Sequence, residues 1–352
     1  MTRSEGFALV LVLWVLSLLT IMAGSFALSM RREAAIVTGS SNNAQAMAVA
    51  ESGLAIAQLM LMYPDQLQRW RTDSSIYQLD YADSKVRIQL LSETGKIDLN
   101  SADQTLLQAL MAYAPVADVE RQTKLVNAII DWRDEDDLVH MEGAEKKEYQ
   151  EAGLSYRPRN KPFQSIEELQ MVLGMNERIF NWFENLITVH SGQATVDMTQ
   201  AGKDVLQVLP GVDPELINEY LAIRRESAIN GLPTPAFTAG LGVDAASRSG
   251  AQTTATQNKS SGQQSDFGDP SAAAAGAGLD RQGVITVVVE ALLEDGTTAT
   301  IKALIKQSDN PALSSPFQIL KWQRNSVGNA SLFTDENDEL LVRQYAEPEF
   351  NN

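Results

Sequence analysis

The sequence predicts an α+β fold in which a long N-terminal helix packs on a small antiparallel sheet that carries a large inserted α-helical domain. Three observations carry this expectation. Residues 7–30 contain no charge, and an apolar stripe at helical spacing follows as far as Leu61. Strand-like alternation occurs over residues 76–100 and again over 284–323. The chain between them reads as helix after helix, and a helical block bracketed by strands of one sheet is an insertion.

The opening run would be roughly 36 Å long at about 1.5 Å per residue, enough to cross a hydrocarbon core of about 30 Å. Its start, Thr2-Arg3-Ser4-Glu5, is barely basic, and the run exceeds the roughly 7–15 residues of a signal-peptide core. A retained span is therefore expected. Taken alone, Arg31-Arg32 would put that end of the span in the cytoplasm. Ala44, Met47, Ala50, Leu54, Ala57 and Leu61 then share one helix face, with Asn43, Gln45, Glu51 and Gln58 off it. Gly39-Ser40-Ser41 is a soft point, and Pro64 ends the run. The simplest structure is one continuous helix over 7–63, apolar all round and then amphipathic; a membrane anchor followed by an unrelated core helix fits the periodicity equally well.

Strands are expected at 76–81, 86–91 and 97–100, with a turn at Glu93-Thr94-Gly95-Lys96. Helices are expected at 102–112, 119–132, 165–173, 176–187, 204–209 and 214–226, with capping boxes at Ser101/Gln104 and Ser165/Glu168. Residues 243–282 are rich in Ala, Gly, Ser and Gln with one aromatic, Phe267, and read as a flexible loop. Strands resume at 284–293, 298–306 and 317–323, the first two joined through Asp295-Gly296, a strong hairpin signal. The domain reading is thus 64–100 with 283–352 as the sheet domain, and 101–242 as the helical insertion.

Composition excludes several functions. A net charge of −17 without a basic run disfavours a nucleic-acid partner. The absence of cysteine removes disulfides and thiolate metal sites. His140 and His190, the two histidines, read as surface or capping residues, and no H-E-x-x-H, G-x-S-x-G or phosphate-binding glycine loop is present. The stretch at 205–227, and more weakly that at 169–186, is similar to a helix-hairpin-helix unit. Acidic residues surround its Pro210-Gly211-Val212-Asp213 turn, so packing is expected there rather than phosphate binding.

Gly6-Phe7, placed after a short polar leader and before an uninterrupted apolar helix, resembles the processing site of type IV prepilins and type II secretion pseudopilins. The resemblance implies a leader over 1–6, cleavage after Gly6 by a prepilin peptidase and N-methylation of Phe7. The apolar helix would then anchor the chain before assembly and join a filament afterwards. Most pilin-like proteins carry glutamate five residues into the mature chain, and here Leu11 stands there. A subunit without that carboxylate cannot recruit the terminal amine of a neighbour ahead, which suits a filament tip. The K-type minor pseudopilins of type II secretion share this departure, and the chain is similar to them along nearly its whole length. The resemblance implies a pilin-like fold with a helical insertion and a non-enzymatic role in the export of folded proteins. It also implies a single span in the inner membrane with the bulk of the chain in the periplasm. The implied partners are the I- and J-type minor pseudopilins, the major pseudopilin filament and the inner-membrane secretion platform.

The sharpest local feature is the acidic stretch AIIDWRDEDDLVHMEGAEKKEY over residues 128–149. Closely spaced carboxylates suit Ca²⁺, although a solvated acidic helix end has the same composition. It is not an EF-hand, because Leu138 and Val139 occupy positions 5 and 6 of a loop begun at Asp134. The DW-x-D-x-D block followed by Gly-Ala-Glu is similar to the K-type calcium-binding region. That resemblance makes Asp131, Asp134, Asp136 and Glu145 the candidate ligands. Asp131 has a second reading, as a cap of its helix or a brace for Trp132. The rival reading of the whole chain is a signal-anchored periplasmic hydrolase with a calcium-stabilised domain.

Overall fold

The computed structural model describes residues 5–116, 118–237, 283–308, 315–325 and 331–346. The expected flexible loop at 243–282 and the first four residues of the expected leader lie outside them.

Helix α1 runs unbroken through Glu5–Leu61, with no interruption at Gly39-Ser40-Ser41. Met62 N and Tyr63 N close its last turn on Leu59 O and Met60 O at 3.1 and 3.3 Å, ahead of Pro64. Residues 9–41 are exposed on every face. Burial begins at Ala46 and continues through Ala50, Leu54, Ala57 and Leu61, so the buried stripe starts two residues later than Ala44. Small residues dominate the seam because the helix lies close to the sheet. A Cβ on Gly53 would stand 2.8 Å from Cγ1 of both Val86 and Val289.

The seam faces a six-stranded sheet built from β1 (Asp73–Asp80), β2 (Ser84–Ser92), β5 (Val284–Leu293), β6 (Thr298–Gln307), β7 (Phe317–Arg324) and β8 (Leu341–Ala346). Their order is β7-β6-β5-β2-β1-β8. All neighbours are antiparallel except β1 and β8, which run parallel. The expected antiparallel sheet is therefore mixed at one edge. The sequence hid β8 because a parallel partner lies far along the chain and no turn announces it. The Asp-Gly hairpin forms as expected, with Gly296 at φ 85° between β5 and β6. On the α1 side, Val86, Ile88, Leu90, Val287, Val289, Ile301, Ala303 and Ile305 make one buried layer.

The helical region holds α2 (Gln104–Ala112), α3 (Val119–Arg133), α4 (Lys146–Glu151), α5 (Glu177–Phe183), α6 (Lys203–Val208) and α7 (Pro214–Ile229). A further short helix, α8 (Asp335–Asp338), precedes β8. Three local expectations change. Asp103, not Ser101, caps α2, its Oδ1 accepting from Leu106 N at 2.7 Å. Residues 166–171 form a 3-10 turn instead of an α-helix. The expected box fails there because the Glu168 carboxylate is taken by Arg159 at 2.6 Å and Gln164 N at 3.1 Å. Finally, the helix expected over 176–187 stops at Phe183, and Ile187 instead opens β4 (Ile187–Thr188), which pairs in parallel with β3 (Ile97–Asp98). That pairing joins the start of the insertion to its middle.

Trp132, Tyr149, Phe163 and Phe183 centre a second apolar core that spans Ile97 to Tyr220 and is separate from the α1–sheet core. Polar groups connect the two. Glu93 Oε1 accepts from Lys96 Nζ and Thr286 Oγ1, each at 2.6 Å, and Lys302 Nζ reaches Asn185 at 3.0 Å. A cavity of about 190 Å³ lies in this joint, lined by Lys96, Glu167, Thr188, Lys302, Leu320 and Lys321 among others.

Candidate metal centre

The acidic stretch begins inside the last turn of α3. Asp131 faces the helical core and is fully buried. Its Oδ1 accepts from His140 N at 3.2 Å and also contacts the His140 ring, and its Oδ2 accepts from Ala144 N at 2.7 Å. One carboxylate therefore pins both arms of the loop that leads to α4. A Cβ at residue 143 would fall 2.0 Å from Asp131 Oδ2, so glycine is required there. The cap and brace readings of Asp131 are not met. Asp134 is the α3 C-cap residue, and Trp132 Nε1 finds no partner among the described residues.

Asp134 lies beside this pair, its Oδ2 3.8 Å from His140 Nδ1, while its Oδ1 is buried and unpartnered. Glu145, at the start of α4, is also buried, and neither of its carboxylate oxygens has a partner. Its amide donates to Glu148 Oε2 at 2.9 Å, one half of a capping box in which the Glu145 carboxylate faces the amides of the first turn of α4. Burial, followed by the charges of Asp131, Asp134 and Asp137, pushes the Glu145 carboxyl up to about 7. Asp134 is raised as well, by burial and then by Asp131 and Asp136. Like charges have been gathered here, and the pull of Arg133 and His140 on Asp134 does not offset burial and the neighbouring aspartates.

Of the expected ligands, Asp131 and Asp134 come together, while Glu145 and Asp136 stand near enough for their charges to be felt, Glu145 by both and Asp136 by Asp134. Asp136 is exposed, and its Oδ1 accepts from Leu138 N at 2.8 Å to shape the loop. His140 is the residue that sequence reasoning missed. Ligand atoms of Asp131, Asp134 and His140 lie within 4.8 Å of one another. Its position inside the acidic loop, with both neighbouring aspartates one loop away, was the available signal. Calcium seldom takes imidazole, so the three orphaned carboxylate oxygens are the better fit to a hard cation.

The processing and assembly residues stand apart from this centre. Gly6 and Phe7 lie in the first turn of α1, and Leu11 is exposed on it. Among the described residues, α1 is the one helix long and apolar enough to cross a membrane. The α6–α7 hairpin turns at Gly211 with φ 77°. Val205, Leu206, Val208, Leu209, Ile217 and Tyr220 bury its apolar faces. Arg224 is also spent internally, donating to Ala201 O at 2.7 Å. The hairpin is built for packing.

Residues 84–192 match the family model described as Type II secretion system (T2SS), protein K, a segment that runs from β2 past β4 and contains the whole acidic centre. No curated protein sequence matches the chain. Among solved structures, the chain is similar to one in the crystal structure of the GspK-GspI-GspJ complex from the enterotoxigenic Escherichia coli type 2 secretion system. The TM-score is 0.44 and the identity 16%, over 84% of this chain and 99% of that chain.

Proposed function

We propose, for a chain whose residues 84–192 match the family model of type II secretion system protein K, that it is the minor pseudopilin at the tip of a periplasmic pseudopilus. It would assemble there with I- and J-type minor pseudopilins and support export without catalysing a reaction. The family match across the insertion carries this reading. Helix α1 supports it, because a span exposed on all sides needs lipid or neighbouring helices around it. Leu11 supports it too: with no carboxylate there, the subunit offers nothing to the terminal amine of a subunit ahead, and so stands first.

The same reading makes Gly6 the leaving side of a prepilin cleavage and Phe7 the methylated terminus. Recovering the protein from membranes of its native host for intact mass and N-terminal sequencing tests this directly. We expect a chain beginning at N-methyl-Phe7. A start at Met1 or near Leu28 would overturn the pseudopilin reading.

We assign Ca²⁺ to the acidic centre, with Asp134 and Glu145 as carboxylate ligands. Asp131 is a third ligand or, through its hold on His140 N and Ala144 N, the residue that shapes the site. The ion would supply the positive charge that the gathered carboxylates lack. The buried, unpartnered oxygens of Asp134 and Glu145 support this assignment. Thermal melting of the full chain with calcium and with chelator is the check. Saturation at about 100 times the Kd adds about 2.7 kcal/mol, and Asp134→Ala/Glu145→Ala removes the response.

A further inference from the structure

We propose that the loop over residues 134–142 is a docking surface for a protein segment that combines apolar side chains with lysine or arginine. Leu138, Val139 and Met141 are 75%, 52% and 86% exposed, three large apolar side chains within four positions. The loop that presents them is tied down. Asn127 Nδ2 donates to Met141 O at 2.7 Å, and Asn160 Nδ2 bonds to Asp136 O and to Asp137 Oδ1. An exposed apolar cluster held in one arrangement loses little entropy on binding, and such clusters mark interaction sites.

The rim decides the occupant. Glu135, Asp136, Asp137 and Glu142 are exposed around the trio, no lysine or arginine lies within 134–145, and Lys124, which feels Glu142, is bonded to Glu120. The preceding Arg133 is turned inward, its guanidinium bonded to Leu99 O and Ala102 O. A bilayer with anionic headgroups would be repelled by this rim. A second copy of a chain with net charge −17 would bring the same negative loop. A basic amphipathic segment covers the apolar trio and pairs with the rim at the same time. The inference does not depend on calcium, since a divalent ion leaves the rim negative.

The test uses the full chain in zwitterionic nanodiscs. The protein has no cysteine, so Val139→Cys gives a unique thiol for an environment-sensitive dye. The probes are an amphipathic leucine/lysine peptide and a serine/lysine peptide of equal charge. We expect a saturable blue shift with the first peptide and affinity about tenfold weaker or more with the second, the scale of about one buried apolar side chain. With the loop unlabelled and the peptide dye-labelled, anisotropy should give the same ratio. Leu138→Ser/Met141→Ser should then weaken the leucine/lysine peptide about tenfold. Glu135→Lys, at an exposed position with unchanged melting, should weaken it too. Equal affinity for both peptides, or no loss in either variant, would overturn the proposal. So would a blue shift caused by phosphatidylglycerol vesicles, or by raising the protein concentration alone, because lipid or a second copy would then be the occupant.

Discussion

At the scale of single residues, Asp131 shows how a side chain picked for one role turns out to hold another. Its place in the DW-x-D-x-D block made it a ligand candidate, and the residue does lie at the centre of the acidic site. What spacing could not reveal is that both carboxylate oxygens are engaged by the returning loop. Backbone amides have no sequence signature. Asp131→Ala leaves the buried Ala144 amide without its acceptor, and an unsatisfied buried donor costs roughly 1–3 kcal/mol. We expect that loss in chelator, measured by denaturant unfolding, so that it is separated from any loss of calcium binding. Asp136 shows how the loop spends a carboxylate locally. It shares the composition of its neighbours, but an Asx-type bond to Leu138 N turns it outward. His140 read as a surface or capping residue. Its ring nevertheless sits against Asp131, and contact, unlike ligand preference, follows from the path of the loop.

At the scale of elements, the long helix, the Asp-Gly hairpin and most helices of the insertion were legible, because each announces itself within a few residues. Periodicity found α1, and turn chemistry found the β5–β6 connection. Elements that depend on distant partners were not legible: β8 pairs with a strand from the other end of the fold, and β3 pairs with β4 across the insertion. The close approach of α1 to the sheet at Gly53 was also silent, since a glycine within a helix reads only as a weak point. Its geometry yields a definite expectation. Gly53→Leu forces a side chain into the space already held by Val86 and Val289, and overpacking of this kind costs roughly 1–3 kcal/mol. Lower melting of the full chain checks it, with exposed Gly39→Leu on the same helix as a control expected to melt unchanged.

At the scale of the whole molecule, two apolar cores are joined through charged and hydrogen-bonded groups, and the joint brings pH dependence with it. Burial alone would raise the carboxyl of Glu93, but the Lys96 ammonium and hydrogen bonds from Lys96, Thr188 and Thr286 outweigh it. The group is therefore held below the usual carboxylate range. A folded-state value below the unfolded one stabilises the protein above the unfolded pKa, and the benefit is lost as pH falls through the folded one. We expect stability to decline across that acidic window in calcium-free solution, and Glu93→Gln/Lys96→Met to flatten the decline in acid titrations of melting. Removing Glu93 alone would strand a buried ammonium and confuse the comparison.

Helix α1 has a mechanical consequence as well. From residue 9 to residue 41 it is exposed on every face among the described residues, and from Ala46 to Leu61 it is held to the sheet by the apolar seam and by an ion pair between Glu51 and Arg324 at 2.9 Å. The free part, roughly 50 Å long at about 1.5 Å per residue, is a shaft. Any axial push or pull at its far end travels down a single hydrogen-bonded column and enters the body along one seam, against β2, β5 and β6. The Ala46–Leu61 seam is therefore where such a force is handed from shaft to body, and its contacts, sharing the load side by side, together set the force at which the two would part.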